Sequence, residues 1–462
     1  MLKKQKPMAW AALGAALVMV AAACSSSKKA ATSATTATTA QAASPSTTAA
    51  GGTTGSQTAY MNTQGGTEAQ LRGTPGTGLT RGVTATDVTF GCVFQGAYYP
   101  GFDVGIKAKF AAINKAGGVN GRQLKLLACQ DDNGDSNTTL TDTRQFVQQS
   151  NVFGMLYNTV GALPATTDFL QSNQVPFTGW GTLAGWCGTR WGFGYNGCLA
   201  AGAAPGIVPT VYYNTALVEV PEKLGNLTPA QTKAAIIGND NAASKAGNAQ
   251  FQTLFDLQGA KVVYNQATLP ATGVADYSPF VQAIMATNPN VIVFDCTFGN
   301  IGGLLSGLTQ AGYKGVTENF VTYTSTLSST PDLAKALQGA YVNLQFEPVE
   351  TGSAYIQQEQ ADLQANGSGN AITIGIAQGY EQANLWAQML QAAGKDLNTK
   401  TFDQAVNGGN FVSHAGHAGG AGDINWPNGH FIPVPCAAAV KVDNGKYSQA
   451  LPYSCFSVVA AK

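Results

Sequence analysis

Charged side chains are scarce in this chain of 462 residues. Lysine and arginine together number 25, aspartate and glutamate also number 25, and these four types make up only 11% of the sequence. A nucleic-acid-binding protein usually shows a patch of basic residues or a run of basic residues interleaved with aromatic ones. This sequence shows neither. We therefore expect no nucleic-acid partner.

Sequence motifs of known catalytic centres are also lacking. The chain contains no G-x-S-x-G, no H-E-x-x-H and no C-x-x-C. His414 and His417 lie in the stretch SHAGHAGGAG without an acidic residue or a cysteine at ligand spacing, as in a flexible polar loop. Cys296 has no histidine near it in sequence and fits a small buried thiol. We therefore predict that the protein is not an enzyme and holds no metal and no cofactor.

An apolar run long enough to span a membrane is missing as well. The run Met8–Ala23 is shorter than the roughly 20 residues that a bilayer requires, and the three lysines before it are typical of a secretory signal. Its end, Ala21-Ala22-Ala23-Cys24, resembles a bacterial lipoprotein signal, which implies removal of residues 1–23 and lipidation of Cys24. The alternative is an ordinary cleaved signal with an incidental cysteine. We expect the protein on the extracytoplasmic face of the cell membrane, held by a lipid anchor.

Large apolar residues are nearly absent from residues 24–82, a tract rich in serine, threonine, alanine and glycine. Such a segment buries too little surface to offset the entropy lost on ordering, so we predict a disordered tether. The remaining residues are too many for a single hydrophobic core, and their number favours two lobes.

Seven cysteines follow Cys24, and in an oxidising compartment most of them should pair. We predict three disulfides, of which the first joins two neighbouring strands and the others close local loops: Cys92–Cys129, Cys187–Cys198 and Cys436–Cys455. Cys296 is then left without a partner.

From Asp87 onward, apolar β-rich segments alternate with amphipathic helical segments. DVTFGCVF predicts a strand, and in the next segment Phe102, Ile106, Phe110 and Ile113 fall on one face of a helix. After about residue 205 the alternation starts again. Buried strands alternating with helices indicate parallel sheets, so we predict an α/β fold of two doubly wound lobes. A ligand would bind in the cleft, at the carboxyl ends of the strands.

The order of motifs along the body resembles one known family. The stretches that carry the resemblance include INKAGGVNGRQLKLLACQDDNGD, YNTVGALPATT, GVADYSPFVQAIMATNPNVIVF, GYEQANLWAQMLQAAG and GDINWPNGH. Taken in order over residues 86–462, they resemble the type I periplasmic binding proteins. Within that class they are most similar to the branched-chain amino acid (Leu/Ile/Val) binding components of ABC importers.

This resemblance implies an organisation and a function. The chain would cross between the lobes three times, with residues 86–207 and 348–420 in lobe one and residues 208–347 and 421–462 in lobe two. The lobes would close by hinge motion over a small polar or amphipathic ligand, which is an amino acid, a small organic acid or an amide. The partners would be that ligand and a membrane permease, and we expect a monomer. The alternative is a ligand-sensing receptor that signals without transport.

The stretch Gly179–Cys198 is unusually rich in tryptophan and glycine, with three of the six tryptophans of the chain. By the resemblance, Trp180, Gly181 and Thr182 would form the cleft wall of lobe one. The remainder, from Trp186 to Cys198, would be a disulfide-closed loop at the mouth of the cleft. The alternative is that its tryptophans pack only against the scaffold.

Four further positions of lobe one would contact the ligand by the same resemblance. Thr159 lies at the start of a helix whose amide groups favour an anion, although a capping role alone would also explain it. Tyr98 or Tyr99 would stack on the ligand, with a surface position as the alternative. Tyr380 would reach the pocket.

Lobe two departs from the family pattern. Thr297, with Phe298 beside it, and Thr324 fall at contact positions, but the carboxylate that pairs with a ligand ammonium in amino acid binders is absent near Thr324. An unpaired buried ammonium costs several kcal/mol, so recognition of an α-amino acid would need another acid. Asp295 and Asp240 both follow strands of lobe two and are the candidates. If neither faces the cleft, the ligand lacks a cationic amine.

Overall fold

The computed structural model describes residues 65–199, 211–213, 216–324, 327–414, 423–434, 436–455 and 458–460. The predicted signal segment, Cys24, most of the predicted tether and His417 lie outside these residues. None of the helices in the described ranges combines the length and the apolar character that a membrane crossing requires.

The body contains seventeen strands within the described residues. In chain order they are β1 Asp87–Phe94, β2 Gln123–Leu126, β3 Gln130–Asp131, β4 Gly154–Asn158, β5 Phe177–Gly179, β6 Gly192–Gly194, β7 Val211–Tyr213, β8 Lys233–Asn239, β9 Lys261–Leu269, β10 Val291–Asp295, β11 Val316–Asn319, β12 Tyr341–Leu344, β13 Phe411–Ser413, β14 Ile424–Trp426, β15 Cys436–Asp443, β16 Lys446–Cys455 and β17 Val458–Ala460.

The α-helices among the same residues are α1 Phe102–Lys115, α2 Ser136–Arg144, α3 Pro164–Ser172, α4 Ala216–Glu219, α5 Ala242–Gln258, α6 Ser278–Ala286, α7 Phe298–Gln310, α8 Pro331–Ala336, α9 Ala354–Ala365, α10 Ile374–Ala393 and α11 Thr399–Asn407. Several begin at a polar residue whose side chain accepts a hydrogen bond from the first helical turn. Asp135 does so for α2, Asn241 for α5 and Thr373 for α10. Such caps satisfy amide groups that have no partner inside the helix.

The first sheet has the strand order β2-β1-β4-β5-β6, all parallel, with β3 also paired to β1. Helix α10 lies against this sheet, and its residue Trp386 packs on Phe90 of β1 with ring centroids 4.7 Å apart. Phe110 of α1 packs on the same ring at 5.3 Å. The predicted alternation of strand and helix therefore produces one lobe around this sheet.

The second sheet has the order β16-β15-β12-β11-β10-β8-β9. Strands β8 to β12 run parallel, whereas β15 and β16 form an antiparallel edge. Its strands are strongly apolar, and Ile237, Ile292 and Phe294 are buried in its core. The two α/β lobes with parallel sheets confirm the predicted fold class.

All three predicted disulfides are present: Cys92–Cys129, Cys187–Cys198 and Cys436–Cys455. The last one joins β15 to β16 at a directly paired position. Cys296 is a free, buried thiol, as predicted.

The segment 65–82 differs from the prediction of a disordered tether that extends to residue 82. The backbone amide of Gly76 donates to Asp403 Oδ2 at 2.9 Å, and that of Leu79 donates to the Thr399 hydroxyl at 3.0 Å. Arg190, which is buried, bonds both Asp403 and Glu68. Composition gave no indication of this order, because the segment is held on lobe one mainly by polar contacts.

The predicted return of the chain to lobe two at residue 421 also differs from the structure. Strand β14 pairs with β13, and His430 packs on Phe193 of the first sheet with ring centroids 4.9 Å apart. The segment 424–434 therefore lies on lobe one, and the second sheet resumes at Cys436. The apolar contacts of Trp426 with Phe193, at 5.2 Å, account for this placement.

Candidate functional site

A cavity of about 90 Å³ lies between the two lobes, at the carboxyl ends of the parallel strands. From lobe one it is lined by Tyr98, Tyr99, Val160, Trp180, Thr182 and Leu199. From lobe two its lining includes Ser244, Gly247, Phe251, Asp295, Cys296 and Phe320. Gln345, in the segment that leaves β12, also lines it. This edge is where ligands bind in open α/β sheets.

The lobe-one wall is aromatic. Tyr98 and Tyr99 follow β1 and are both buried, with ring centroids 5.9 Å apart. Trp180 follows β5 and meets the Tyr99 ring edge-on at 6.3 Å. The structure thus places the predicted residues Tyr98, Tyr99, Trp180 and Thr182 together at the cavity.

The lobe-two wall combines an aromatic pair with an acid. Phe251 of α5 and Phe320 stack with ring centroids 5.0 Å apart and an interplanar angle of 13°. Asp295 ends β10, and its backbone carbonyl accepts a 2.8 Å hydrogen bond from the Ser244 hydroxyl. The Asp295 carboxylate packs so closely over Gly247 that a Cβ there would lie 2.3 Å from Asp295 Oδ2.

The Asp295 carboxylate makes no hydrogen bond and no ion pair with any residue in the described part of the chain. Burial without a countercharge raises its pKa to about 7. Burial also raises the pKa values of Tyr98, Tyr99 and Cys296, so these neighbours are neutral at physiological pH. Asp295 is therefore the residue whose ionisation sets the charge of this part of the cleft.

Hydrogen bonds cross from one lobe to the other around the cavity. The Tyr98 hydroxyl donates to Asn239 Oδ1 at 2.8 Å. Gln345 Oε1 accepts from the indole of Trp180 and from the amide of Asn196. These contacts hold the lobes in a closed arrangement.

Two predicted lobe-one contacts lie behind the cavity wall. The Thr159 hydroxyl accepts from the Gly161 amide at 2.9 Å. The Gly181 amide donates to Asn196 Oδ1 at 3.1 Å. Their neighbours Val160 and Thr182 line the cavity, and of these Thr182 was also predicted.

The remaining predicted contacts lie elsewhere. Thr297 donates its hydroxyl to the Ala271 carbonyl at 3.2 Å, and Phe298 begins α7 without lining the cavity. The Thr324 amide donates to the Tyr447 hydroxyl at 3.1 Å, beside a separate surface groove.

Tyr380 is directed away from the cleft by the rotation of α10 and donates to Asp362 Oδ2 at 2.6 Å. Asp240, the other candidate acid, is exposed and paired with Lys245 at 2.6 Å. Neither residue lines the cavity.

The segment from Trp186 to Cys198 is core rather than the predicted loop at the cleft mouth. Trp186 and Trp191 are at most 1% exposed, and Trp186 packs on Phe177 with ring centroids 5.4 Å apart. Strand β6, within this segment, extends the first sheet by pairing with β5. The alternative considered for these tryptophans, packing against the scaffold, is what the structure shows.

Several residues that line the cavity, or that bond residues lining it, are absent from the predicted site. They are Asn196, Asn239, Phe251, Phe320 and Gln345. Asn239 could have been found, because it ends β8 at the same sheet edge as Asp295. Gln345 lies outside any strand or helix, and its partners are more than 140 residues away in sequence.

A family model described as periplasmic binding protein matches residues 93–446. A search of curated proteins finds no match.

Among solved structures, a solute binding protein of an ABC transporter from R. palustris in complex with 4-hydroxybenzoate is 16% identical, with a TM-score of 0.63 over 80% of this chain and 98% of that chain. A fatty acid ABC transporter substrate-binding protein from Thermomonospora curvata is 15% identical, with a TM-score of 0.66 over 81% and 94%. A leucine binding protein from Thermotoga maritima is 15% identical, with a TM-score of 0.61 over 79% and 99%. These likenesses show the fold.

Proposed function

The chain belongs to the periplasmic binding protein family, and we propose that it is the extracytoplasmic solute-binding component of an ABC importer. In this function a small molecule binds between the lobes, the lobes close over it, and the closed form docks on a membrane permease. The similar structures are described as ABC transporter binding proteins for a hydroxybenzoate, for fatty acids and for leucine, which supports a small-molecule ligand.

One observation carries this proposal: the cavity has walls from both lobes and is closed by side-chain hydrogen bonds between them. A ligand that contacts both walls stabilises the closed form over the open form by its differential affinity. The free volume of about 90 Å³ is below the roughly 300–1,000 Å³ of ordinary ligand pockets. A larger ligand must therefore enter through the open form and displace groups such as Trp180 or Gln345.

The ligand-contacting residues that we propose are Tyr98, Tyr99, Trp180, Thr182 and Asp295, because each lines the cavity. Lipidation of Cys24 would hold the body near the permease, and residues 25–64 would serve as the tether. The chain would act as a monomer.

The test is a thermal-shift screen of the purified chain against amino acids, organic acids, amides and amines. A ligand at a hundred times its dissociation constant stabilises the folded state by about 2.7 kcal/mol, which raises the melting temperature measurably. Small-angle X-ray scattering of each hit should show the more compact, closed form. If no compound stabilises the chain or changes its scattering, the proposal of solute binding is wrong.

A further inference from the structure

The charge of the cavity disfavours one class of ligand. None of the described residues that line it is lysine, arginine or histidine, and Asp295 is its one acidic residue. A bound anion would have no countercharge among these residues and would be repelled by the ionised form of the Asp295 carboxylate. A bound cation would give that carboxylate the partner that it lacks.

Two main-chain donors at the lobe-one turn after β5 are already used by the protein. The Gly181 amide donates to Asn196 Oδ1, and the Thr182 amide donates to the Trp180 carbonyl at 2.7 Å. In both cases a protein oxygen already accepts from an amide that a ligand carboxylate would otherwise use.

The walls beside Asp295 suit the body of an organic cation. Tyr98, Tyr99 and Trp180 face it from lobe one, and the stacked rings of Phe251 and Phe320 face it from lobe two. Aromatic rings attract a cation that lies over their faces, and the effect grows when water is excluded. They also cover an alkyl or aromatic group attached to the ammonium.

We propose that the ligand is a small organic amine without a carboxylate, whose ammonium pairs with Asp295 and whose apolar body lies between the aromatic walls. This inference rests on the proposed function and names its substrate class. It also sets the chain apart from the similar structures described as binding leucine or 4-hydroxybenzoate.

Three probes that share one side chain test the inference on the full chain: 3-methylbutylamine, leucine and 4-methylpentanoate. 3-Methylbutylamine carries only an ammonium, and 4-methylpentanoate carries only a carboxylate. Leucine carries both groups. Benzylamine and benzoate form a second pair with an aromatic body. Calorimetric titration at pH 8 should show binding of the amine in each set, with the matched carboxylate weaker by about thirtyfold or more.

The matched variants are Asp295→Asn and Asp240→Asn. Removing the charge at Asp295 should weaken amine binding by about thirtyfold or more, because a desolvated ion pair is lost. The melting temperature of the ligand-free variant should not fall, since the change removes a half-buried carboxylate that has no partner among the described residues. Asp240 is exposed and paired with Lys245, so its variant should bind as the parent chain does.

The outcomes separate this inference from the proposed function. If leucine or a carboxylate binds as tightly as the matched amine, or if Asp295→Asn binds amines normally, the inference is overturned. If a carboxylate also drives the chain to the closed form, the proposed function stands without the inference. If no probe of any class binds and no compound in the wider thermal-shift screen stabilises the chain, the inference and the proposed function are both wrong.

Discussion

The hydroxyl of Tyr98 in lobe one donates a 2.8 Å hydrogen bond to Asn239 Oδ1 in lobe two. The same oxygen accepts from the backbone amide of Thr297 at 2.6 Å, and the Asn239 amide donates to the Leu269 carbonyl at 3.1 Å. Asn239 is therefore fixed by its own lobe and offers Tyr98 a preset acceptor. Because this bond forms only when the lobes meet, it stabilises the closed form selectively.

Tyr98→Phe should weaken ligand binding by about fivefold, since it removes one hydrogen bond of about 1 kcal/mol while keeping the ring. Scattering should show that the ligand-free variant is more open. Tyr277→Phe is the control, because the Tyr277 hydroxyl donates an equivalent 2.8 Å bond to Asn300 Oδ1 within lobe two. Equal loss of affinity in both variants would show that the Tyr98 bond has no particular part in closure.

Gly247→Ala should impair binding without destabilising the chain. A Cβ at this position would meet Asp295 Oδ2 at 2.3 Å, so the carboxylate must move. Alanine is the better helix former by about 1 kcal/mol, so the melting temperature should hold or rise. Gly302→Ala in α7 is the control, since no atom lies within 4 Å of the added Cβ. Unchanged amine affinity in Gly247→Ala would contradict the assigned position of the carboxylate.

Amine binding should weaken as the pH falls from 8 to 6. The ligand pairs with ionised Asp295, whose pKa is raised to about 7 in the free protein, so protons compete with the cation below that pH. Affinity should drop by about tenfold over this range. Tyr98, Tyr99 and Cys296, the other titratable groups near this carboxylate, stay neutral because their pKa values are raised. The amine affinity of Asp295→Asn should not change with pH. If the affinity of that variant still falls at low pH, another group causes the effect.

Asp403→Ala should destabilise the chain by about 3–5 kcal/mol, because it leaves the buried guanidinium of Arg190 with only the exposed partner Glu68. It also removes the acceptor of the Gly76 amide, so residues 65–82 should become sensitive to protease. Urea unfolding and limited proteolysis measure the two effects. Asp103→Ala is the control, since Asp103 pairs with Lys107 on the surface of α1 and should cost less than about 0.5 kcal/mol. Similar losses in both variants would contradict the anchoring of this segment.

The fold could be predicted because its signals are local. Apolar strands such as Val291–Asp295 and one-faced helices such as Phe102–Lys115 can be recognised within a short window of sequence. Long-range polar contacts leave no such trace. Thr77 bonds Gln174 and Leu79 bonds Thr399, which is why the order of residues 65–82 was not foreseen.

The site was harder to predict than the fold because single residues decide which side chains face the cleft. Tyr98, Trp180 and Asp295 follow strands directly, and parallel strands bring their carboxyl ends to one edge. At turns, one residue separates Thr159 from the cavity-lining Val160. On a helix, the rotation of the helix about its axis decides which side chains face the cleft. In α10 this rotation places Tyr380 against Asp362 and Lys109 instead of in the ligand cleft.

The position of Trp180 gives the protein an optical reporter of its own. Trp186, Trp191, Trp386 and Trp426 are each at most 1% exposed in the interior of lobe one, whereas the Trp180 indole is partly exposed at the cavity and bonded to Gln345. A ligand that enters between the lobes alters the polarity around this indole and leaves the surroundings of these four buried indoles unchanged. Intrinsic fluorescence can therefore follow binding in the unlabelled chain, and Trp180→Phe should remove the response.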